Sequence, residues 1–247
     1  MDYPIKYRYI SPFILEVCWP ADICEGILLD IIRLKKGLQT IWGPDLRDMT
    51  MGYHCLSLHF NSAINFPLVL SEIEEVRTST GFSILPARKR WHIPICYDLE
   101  FGKDLSIMAK TTKLNIEEII DLHSSTIYLL YFYGFMPGFM YLGGLAEELY
   151  TPRKNMPDRK VKKGSLAIGG RQTGIYPMDS PGGWSIIGKT PVNIFNLHSK
   201  DLVLAQPGDE IQFEKIDKDL FYFIQDQDAA SRYVLKNETI HGQNYGH

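Results

Sequence analysis

Between Gly134 and Gly188 the chain places 11 of its 20 glycines and five of its 14 prolines within 55 residues. Glycine is favoured where the backbone turns to positive φ or comes close to another group, and proline holds φ near one value. A block rich in both specifies an unusual backbone path, and long regular helices are excluded from it. Aromatic residues (Phe135, Phe139, Tyr141, Tyr176, Trp184) and two arginines (Arg153, Arg171) are interleaved with the turns. That mixture predicts a shaped, partly polar pocket for a small ligand.

The block also rules out a tempting misreading. Residues 124–146 carry no formal charge over 23 positions, long enough on paper to span a membrane. Gly134, Pro137, Gly138, Gly143 and Gly144 would break such a helix and leave backbone groups unsatisfied in lipid. The stretch reads instead as a buried strand from Thr126 to Phe132 entering a folded loop. With 26 basic against 29 acidic residues, no whole-chain field favours nucleic acid or an anionic membrane. The one dense basic run, Arg159, Lys160, Lys162 and Lys163, reads as a solvated loop. Four scattered cysteines without a C-x-x-C pair, and an N-terminus without a secretory pattern, predict reduced thiols in a cytoplasmic protein.

Periodicity divides the chain in three: an α/β domain over residues 1–90, a β-barrel domain over 91–225, and a polar tail over 226–247. In the first, Lys6 to Val17 reads as a strand with a bend at Pro12. A helix follows Pro20, with Ile23, Ile27, Ile31, Leu34 and Leu38 at helical spacing and Gly37 near its stop. A short strand at 39–42, a strand Tyr53 to Phe60, a helix after Pro67 ending near Gly81, and a strand Arg88 to Tyr97 complete β-α-β-β-α-β, the order of a ferredoxin-like sandwich. Next come two short helices headed by Asp104 and by Asn115, the latter with Glu118 three residues on as in a capping box. Beyond Lys162, short runs at 165–168, 174–176, 184–188, 194–196 and 210–213 alternate with turns, which suggests a small barrel.

Several residues carry candidate chemistry. His123 continues the stripe of Ile116, Ile119 and Ile120 at the end of its helix, and two roles fit it: a site residue, or a structural histidine at a helix C-terminus. Arg153 follows the glycine-rich loop, and its planar fork suits a carboxylate or phosphate. Gly169, Gly170 and Gly174 flank Arg171 and Gln172; their amides fit either an anion nest or barrel corners. Ser180 to Gly183 turn tightly into Trp184, a core residue or a pocket wall. No phosphate-loop, dinucleotide or nucleophile-elbow motif occurs, and no histidine spacing suits a metal, so no metal is expected.

The segments GFMPGFMYLGGL, TPR, GSLAIGGRQTGIYP and SPGGWSIIGKTP, in this order, resemble the 5-oxoprolinase B-subunit family. It is also called allophanate hydrolase subunit 1, and it includes a bacterial inhibitor of a sporulation histidine kinase. The resemblance runs from about Tyr7 to Phe213 and implies an α+β chain: an N-terminal ferredoxin-like α/β sandwich followed by a cyclophilin-like β-barrel. The implied activity is ATP-dependent opening of 5-oxo-L-proline to L-glutamate with two partner subunits, of A and C type, ATP being bound by or shared with those partners. The alternative it implies is a regulator that binds and inhibits a sensor histidine kinase; prolyl isomerisation rests on fold analogy alone. His123 and Arg153 are then the catalytic candidates. Phe135, Pro137, Gly138, Phe139, Arg153, Gly170, Gln172, Tyr176, Pro181, Gly182, Gly183 and Trp184 are the expected ligand-binding residues. The chain departs from the family where a second Pro-Arg is usual and Pro157-Asp158 stands, and where a Val-Pro pair is usual and Val161-Lys162 stands. An acid in place of a base puts an anion contact there in question, unless Arg159 compensates.

Overall fold

A computed structural model of the chain describes residues 3–79, 87–197 and 202–240. The chain divides between Ala87 and Arg88 into two compact units. The architecture is α+β, a helix-backed antiparallel sheet followed by a closed β-barrel.

In the first unit, β1 (Lys6–Ser11) and β2 (Ile14–Cys18) form a hairpin, then come α1 (Glu25–Trp42), β3 (Leu46–Met51), β4 (Cys55–Phe60) and α2 (Phe66–Thr78). The sheet order is β1-β2-β4-β3, with every neighbouring pair antiparallel. This is the ferredoxin-like order with one change. The edge place expected for the strand after α2 is taken by β1. The single strand read over Lys6 to Val17 is therefore two strands, turned at Pro12-Phe13, where the Phe13 amide donates to Ser11 Oγ at 3.2 Å. The short strand expected at 39–42 is instead the last turn of α1. Gly37 does not end that helix. A Cβ there would lie 2.5 Å from Val76 Cγ1, so the glycine lets α1 approach α2. Ile27, Ile31, Leu34 and Leu38 are buried as the spacing predicts, on a helix that packs against β3 and β4, whereas Ile23 of the same expected stripe precedes α1 and is exposed. Each such buried side chain contributes about 1.5–3 kcal/mol. Gly81, expected to end α2, lies outside the described residues.

The second unit begins with β5 (Arg88–Cys96), which does not return to the first sheet. It pairs in parallel with β13 (Glu210–Ile216) and meets β12 (Ser185–Lys189) through Lys189 and Cys96. Around the closed barrel the order is β5, β12, β9 (Ser165–Gly169), β10 (Gln172–Ile175), β7 (Met140–Gly143), β6 (Ile127–Tyr133) and β13. Ile93, Ile95, Leu130, Leu142, Leu166, Ile168, Ile187, Ile211 and Phe213 fill the core. A two-stranded ribbon joins β8 (Asp158–Val161) to β11 (Ser180–Gly182). The uncharged stretch at 124–146 becomes the β6–β7 hairpin, and among the described residues no helix is long and apolar enough to cross a membrane.

Two helices, α3 (Leu105–Thr112) and α4 (Ile116–Ser125), lie against β12 and β13 respectively. The capping box at Asn115 is complete: Glu118 N–H donates to Asn115 Oδ1 at 2.9 Å, and Asn115 N–H donates to Glu118 Oε2 at 2.7 Å. The polar tail set apart at 226 differs from the structure. Helix α5 (Lys218–Ala229), capped by Asp217, runs through that boundary, and β14 (Asn237–Ile240) extends the sheet on β5. Polar composition hid both because α5 buries only Phe221 and Ile224.

Candidate functional site

His123 sits in the barrel core and is wholly buried. Thr173 Oγ1 gives its proton to the Ala167 carbonyl (3.1 Å), so it accepts from His123 Nε2–H at 2.9 Å. That leaves Nδ1 to accept from the Tyr97 hydroxyl, also at 2.9 Å. The ring stacks on Phe213 with centroids 5.1 Å apart. Burial lowers its pKa from 6.5 to about 3, so the imidazole is neutral throughout the physiological range. Both nitrogens are used and no face is open to a ligand; the neutral ring is bonded to Tyr97 and Thr173, a core placement different from the dipole-stabilised helix-end histidine that the sequence suggests.

The other candidates gather around Trp184. Phe139 is the hub, edge-on to Tyr176 at 5.2 Å and to Trp184 at 5.3 Å, with Tyr141 at 5.1 Å. Phe139 lies just before β7 and Tyr141 is the second residue of that strand. Phe132, opposite Tyr141 in the register, stacks on it at 4.6 Å. The glycines explain how rings this large fit. A Cβ at Gly169 would lie 2.4 Å from the Trp184 indole, and one at Gly182 would lie 2.2 Å from the Tyr176 hydroxyl. Phe135 projects from the β6–β7 turn, two-thirds exposed, with φ at +63°. A bulky side chain in that left-handed region is strained, and such strain collects where a ligand or partner is gripped.

Arg153 reaches the cluster because its loop is tied down on both sides. Thr151 exchanges hydrogen bonds with Gly170, and Lys154 N–H donates to the Gly183 carbonyl at 2.7 Å. The exposed guanidinium then lies 5.7 Å from the Trp184 ring centroid, within cation–π range, with no ion pair among the described residues. The anion nest is not formed. The Gly170 amide is spent on Thr151, and Gly170 and Arg171 are the two-residue corner of the β9–β10 hairpin that Gln172 follows. Gly138 is buried against Phe195 and Pro137 is exposed beside it. Pro181 is exposed on the β11 ribbon.

Burial raises the Tyr176 and Tyr141 hydroxyls above the ordinary tyrosine value, so both are proton donors near neutrality. Phe139, Tyr176 and Trp184 are buried and pack with Val161, Ala167 and Ile186 as a core cluster, so Trp184 is a core residue and the side toward solvent is formed by Phe135, half-buried Tyr141 and the Arg153 guanidinium. The Asp158 carboxylate is near enough to raise the Tyr176 hydroxyl further. Tyr141, one of the aromatics from which the sequence predicts a pocket, joins the cluster at 5.1 Å from Phe139. No group of three His, Cys, Asp or Glu side chains suited to a metal occurs among the described residues.

Residues 5–205 match the family model described as carboxyltransferase domain, subdomain C and D. The chain is 37% identical over 177 residues to the 5-oxoprolinase B subunit of Bacillus subtilis, covering 70% of this chain and 74% of that protein. It is 39% identical over 169 residues to the 5-oxoprolinase B subunit of Haemophilus influenzae, covering 68% and 79%. The chain belongs to the 5-oxoprolinase B-subunit family. Among solved structures, TTHA0988 superposes with a TM-score of 0.72 at 29% identity over 83% of this chain. This chain spans only 40% of TTHA0988.

Against the pattern of the 5-oxoprolinase B-subunit family, the departure at Asp158 has a structural counterpart. Lys154 Nζ donates to Asp104 Oδ2 (2.7 Å) and Asp158 Oδ2 (2.8 Å), and Lys103 reaches Asp158 at 2.9 Å. Burial works to raise the Asp158 carboxyl, but these hydrogen bonds outweigh it and hold it below the usual range. Asp104 also accepts from the Ile186 amide, which ties the head of α3 to β12. The acid at 158 is therefore neutralised within its own loop, and the exposed Arg159 takes no part in that network.

Proposed function

We propose that the chain is the B-type component of an ATP-dependent 5-oxoprolinase that opens 5-oxo-L-proline to L-glutamate together with two partner subunits. The observation that carries the reading is the identity to proteins named as 5-oxoprolinase B subunits, together with the family match over residues 5–205, which contains the whole aromatic cluster. The geometry supports it. An exposed guanidinium beside a partly exposed aromatic face suits a small flat ring bearing a carboxylate, with Arg153 as the carboxylate fork and Phe135 and Tyr141 as the face, over the buried Phe139 and Trp184.

Lactam hydrolysis breaks the ring C–N bond and adds water across it. The amide is a poor electrophile, and ATP supplies the activation that makes its carbonyl attackable. The residues at the cluster do not fit a triphosphate: a single guanidinium faces it, the Gly170 amide is engaged, and no phosphate-loop sequence occurs. No step through the nucleotide is therefore assigned to this chain, and ATP falls to the partner subunits or to a face shared with them. This chain would bind and orient the ring, and its partners would supply the acid, the base and the phosphoryl chemistry.

The test is reconstitution with the two cognate subunits. Glutamate and phosphate released from 5-oxoproline and ATP only when all three chains are present supports the reading. A full complement that releases neither, while the chain captures a histidine kinase, would replace it with the regulatory alternative.

A further inference from the structure

A cavity in the barrel unit, of about 440 Å³, is lined by the turn 162–164, Asp179, the segment from Lys189 to Asn193, Asn196, the last turn of α5 and Ser231. None of the residues of the Trp184 cluster lines it. The charges around it fall into two groups. Asp179 is committed to the basic turn: its carboxylate accepts from the Lys163 amide at 2.8 Å and pairs with Lys160 at 3.0 Å and with Lys162 at 3.7 Å. Three others have no ionic partner among the described residues: the ammonium groups of Lys163 and Lys189 and the half-buried carboxylate of Asp228.

Lys189 and Asp228 are held in place, while Lys163 is exposed and fixed only through its backbone amide. The Lys189 stem lies 3.5 Å from where a Cβ of Gly164 would be, and its Nζ sits over Phe101 and Phe221 at 5.7 and 5.8 Å. Asp228 accepts the Asn193 amide on Oδ2 at 3.0 Å, and no bond to its Oδ1 is formed among the described residues. Beside it, Asn193 Oδ1 is buried with no hydrogen-bond partner, an unusual condition for a native side chain unless a ligand or water completes it. A pure anion site would not carry Asp228, and a cation site would not carry two free lysines.

We propose that this cavity binds a small α-amino acid bearing a second carboxylate. Two ammonium groups and one carboxylate complement two ligand carboxylates and one ligand ammonium. Lys163 and Lys189 take the carboxylates, Asp228 takes the ammonium, and the Asn193 amide completes the polar contacts. The cavity exceeds such a molecule in size and keeps room for several waters at roughly 30 Å³ each. L-Glutamate belongs to this ligand class, so the site would let the chain sense the product of the reaction proposed above. The recognition itself stands on the cavity alone.

The test uses the full chain, without partner subunits or ATP, in calorimetric titrations with L-glutamate, with glutarate, which lacks the amino group, and with inorganic phosphate. Saturable L-glutamate binding is expected. Lys163→Ala, in an exposed turn where the fold is unaffected, should weaken glutamate and glutarate alike by about tenfold. Asp228→Asn keeps an amide oxygen to accept the Asn193 N–H but loses the charge, and should weaken glutamate by about tenfold without weakening glutarate. The proposal is overturned if L-glutamate shows no saturable binding, if Asp228→Asn affects both ligands equally, or if phosphate binds as tightly as glutamate. Turnover is not the readout, so failure of the hydrolase reading and failure of this one give different results.

Discussion

Replacing His123 by phenylalanine should change how the barrel responds to acid, and the size of the change follows from the buried ring. Its pKa falls from 6.5 in an unfolded chain to about 3 in the folded one. Between those values the unfolded state binds a proton that the folded state refuses, so stability rises with pH and is lost as pH falls below about 6.5. The slope is about 1.4 kcal/mol per pH unit, or roughly 2 kcal/mol lost by pH 5 and about 3 by pH 4. Phenylalanine keeps the stacking on Phe213 and Tyr128 but leaves the Tyr97 hydroxyl without its acceptor, which costs about 1–3 kcal/mol at pH 7. The two proteins should therefore converge near pH 5, with the variant the more stable at pH 4. Contributions from other titrating groups are common to both and cancel in the difference. Urea denaturation from pH 4 to 8, followed by hydrogen-exchange protection of β9 and β10 peptides, reports on this unit alone. Parallel curves, with the same pH slope in both proteins, would refute the argument that His123 is a neutral core residue.

Three further outcomes are expected. Gly169→Ala should destabilise the barrel by about 1–3 kcal/mol and shift the Trp184 fluorescence, because the new Cβ meets a buried indole; urea denaturation read by fluorescence checks it. Lys154→Met should cost about 2 kcal/mol in urea denaturation, since it strands the buried Asp104 carboxylate. Asp158→Ala should cost about 1 kcal/mol or less, because Asp104 keeps both Lys154 and the Ile186 amide. The Asp158 contribution itself should be present above the ordinary carboxylate pKa and fade as pH falls through the lowered folded value, which titration of the Asp158 variant against wild type would show.

Much of the architecture was legible in sequence because local signals agreed with tertiary demand. The Ile27 to Leu38 stripe, the Asn115 capping box and the alternation in Tyr53 to Phe60 each name a periodicity that burial then enforces. The misreadings share a cause. Gly37 looks like a stop because glycine commonly ends helices, yet here it serves an interhelical contact that only the partner helix reveals. Arg88 to Tyr97 reads as a strand in either unit, and its sheet is decided by β13, some 120 residues later. At the cluster, the residue types were visible but the ties that aim Arg153 at Trp184, from Thr151 to Gly170 and from Lys154 to Gly183, are backbone bonds without a side-chain signature. The burial of His123 likewise depends on Thr173 and Tyr97, which lie far from it in the chain.

The claim that Arg153 holds the substrate carboxylate at the rim of the Trp184 cluster is tested most directly by Arg153→Lys in the reconstituted three-subunit enzyme. Lysine keeps the charge and loses the planar fork. Glutamate release should show kcat/KM for 5-oxoproline reduced by about tenfold or more, carried mainly by a higher KM, with the fold and assembly intact. A variant with unchanged kcat/KM would contradict the account.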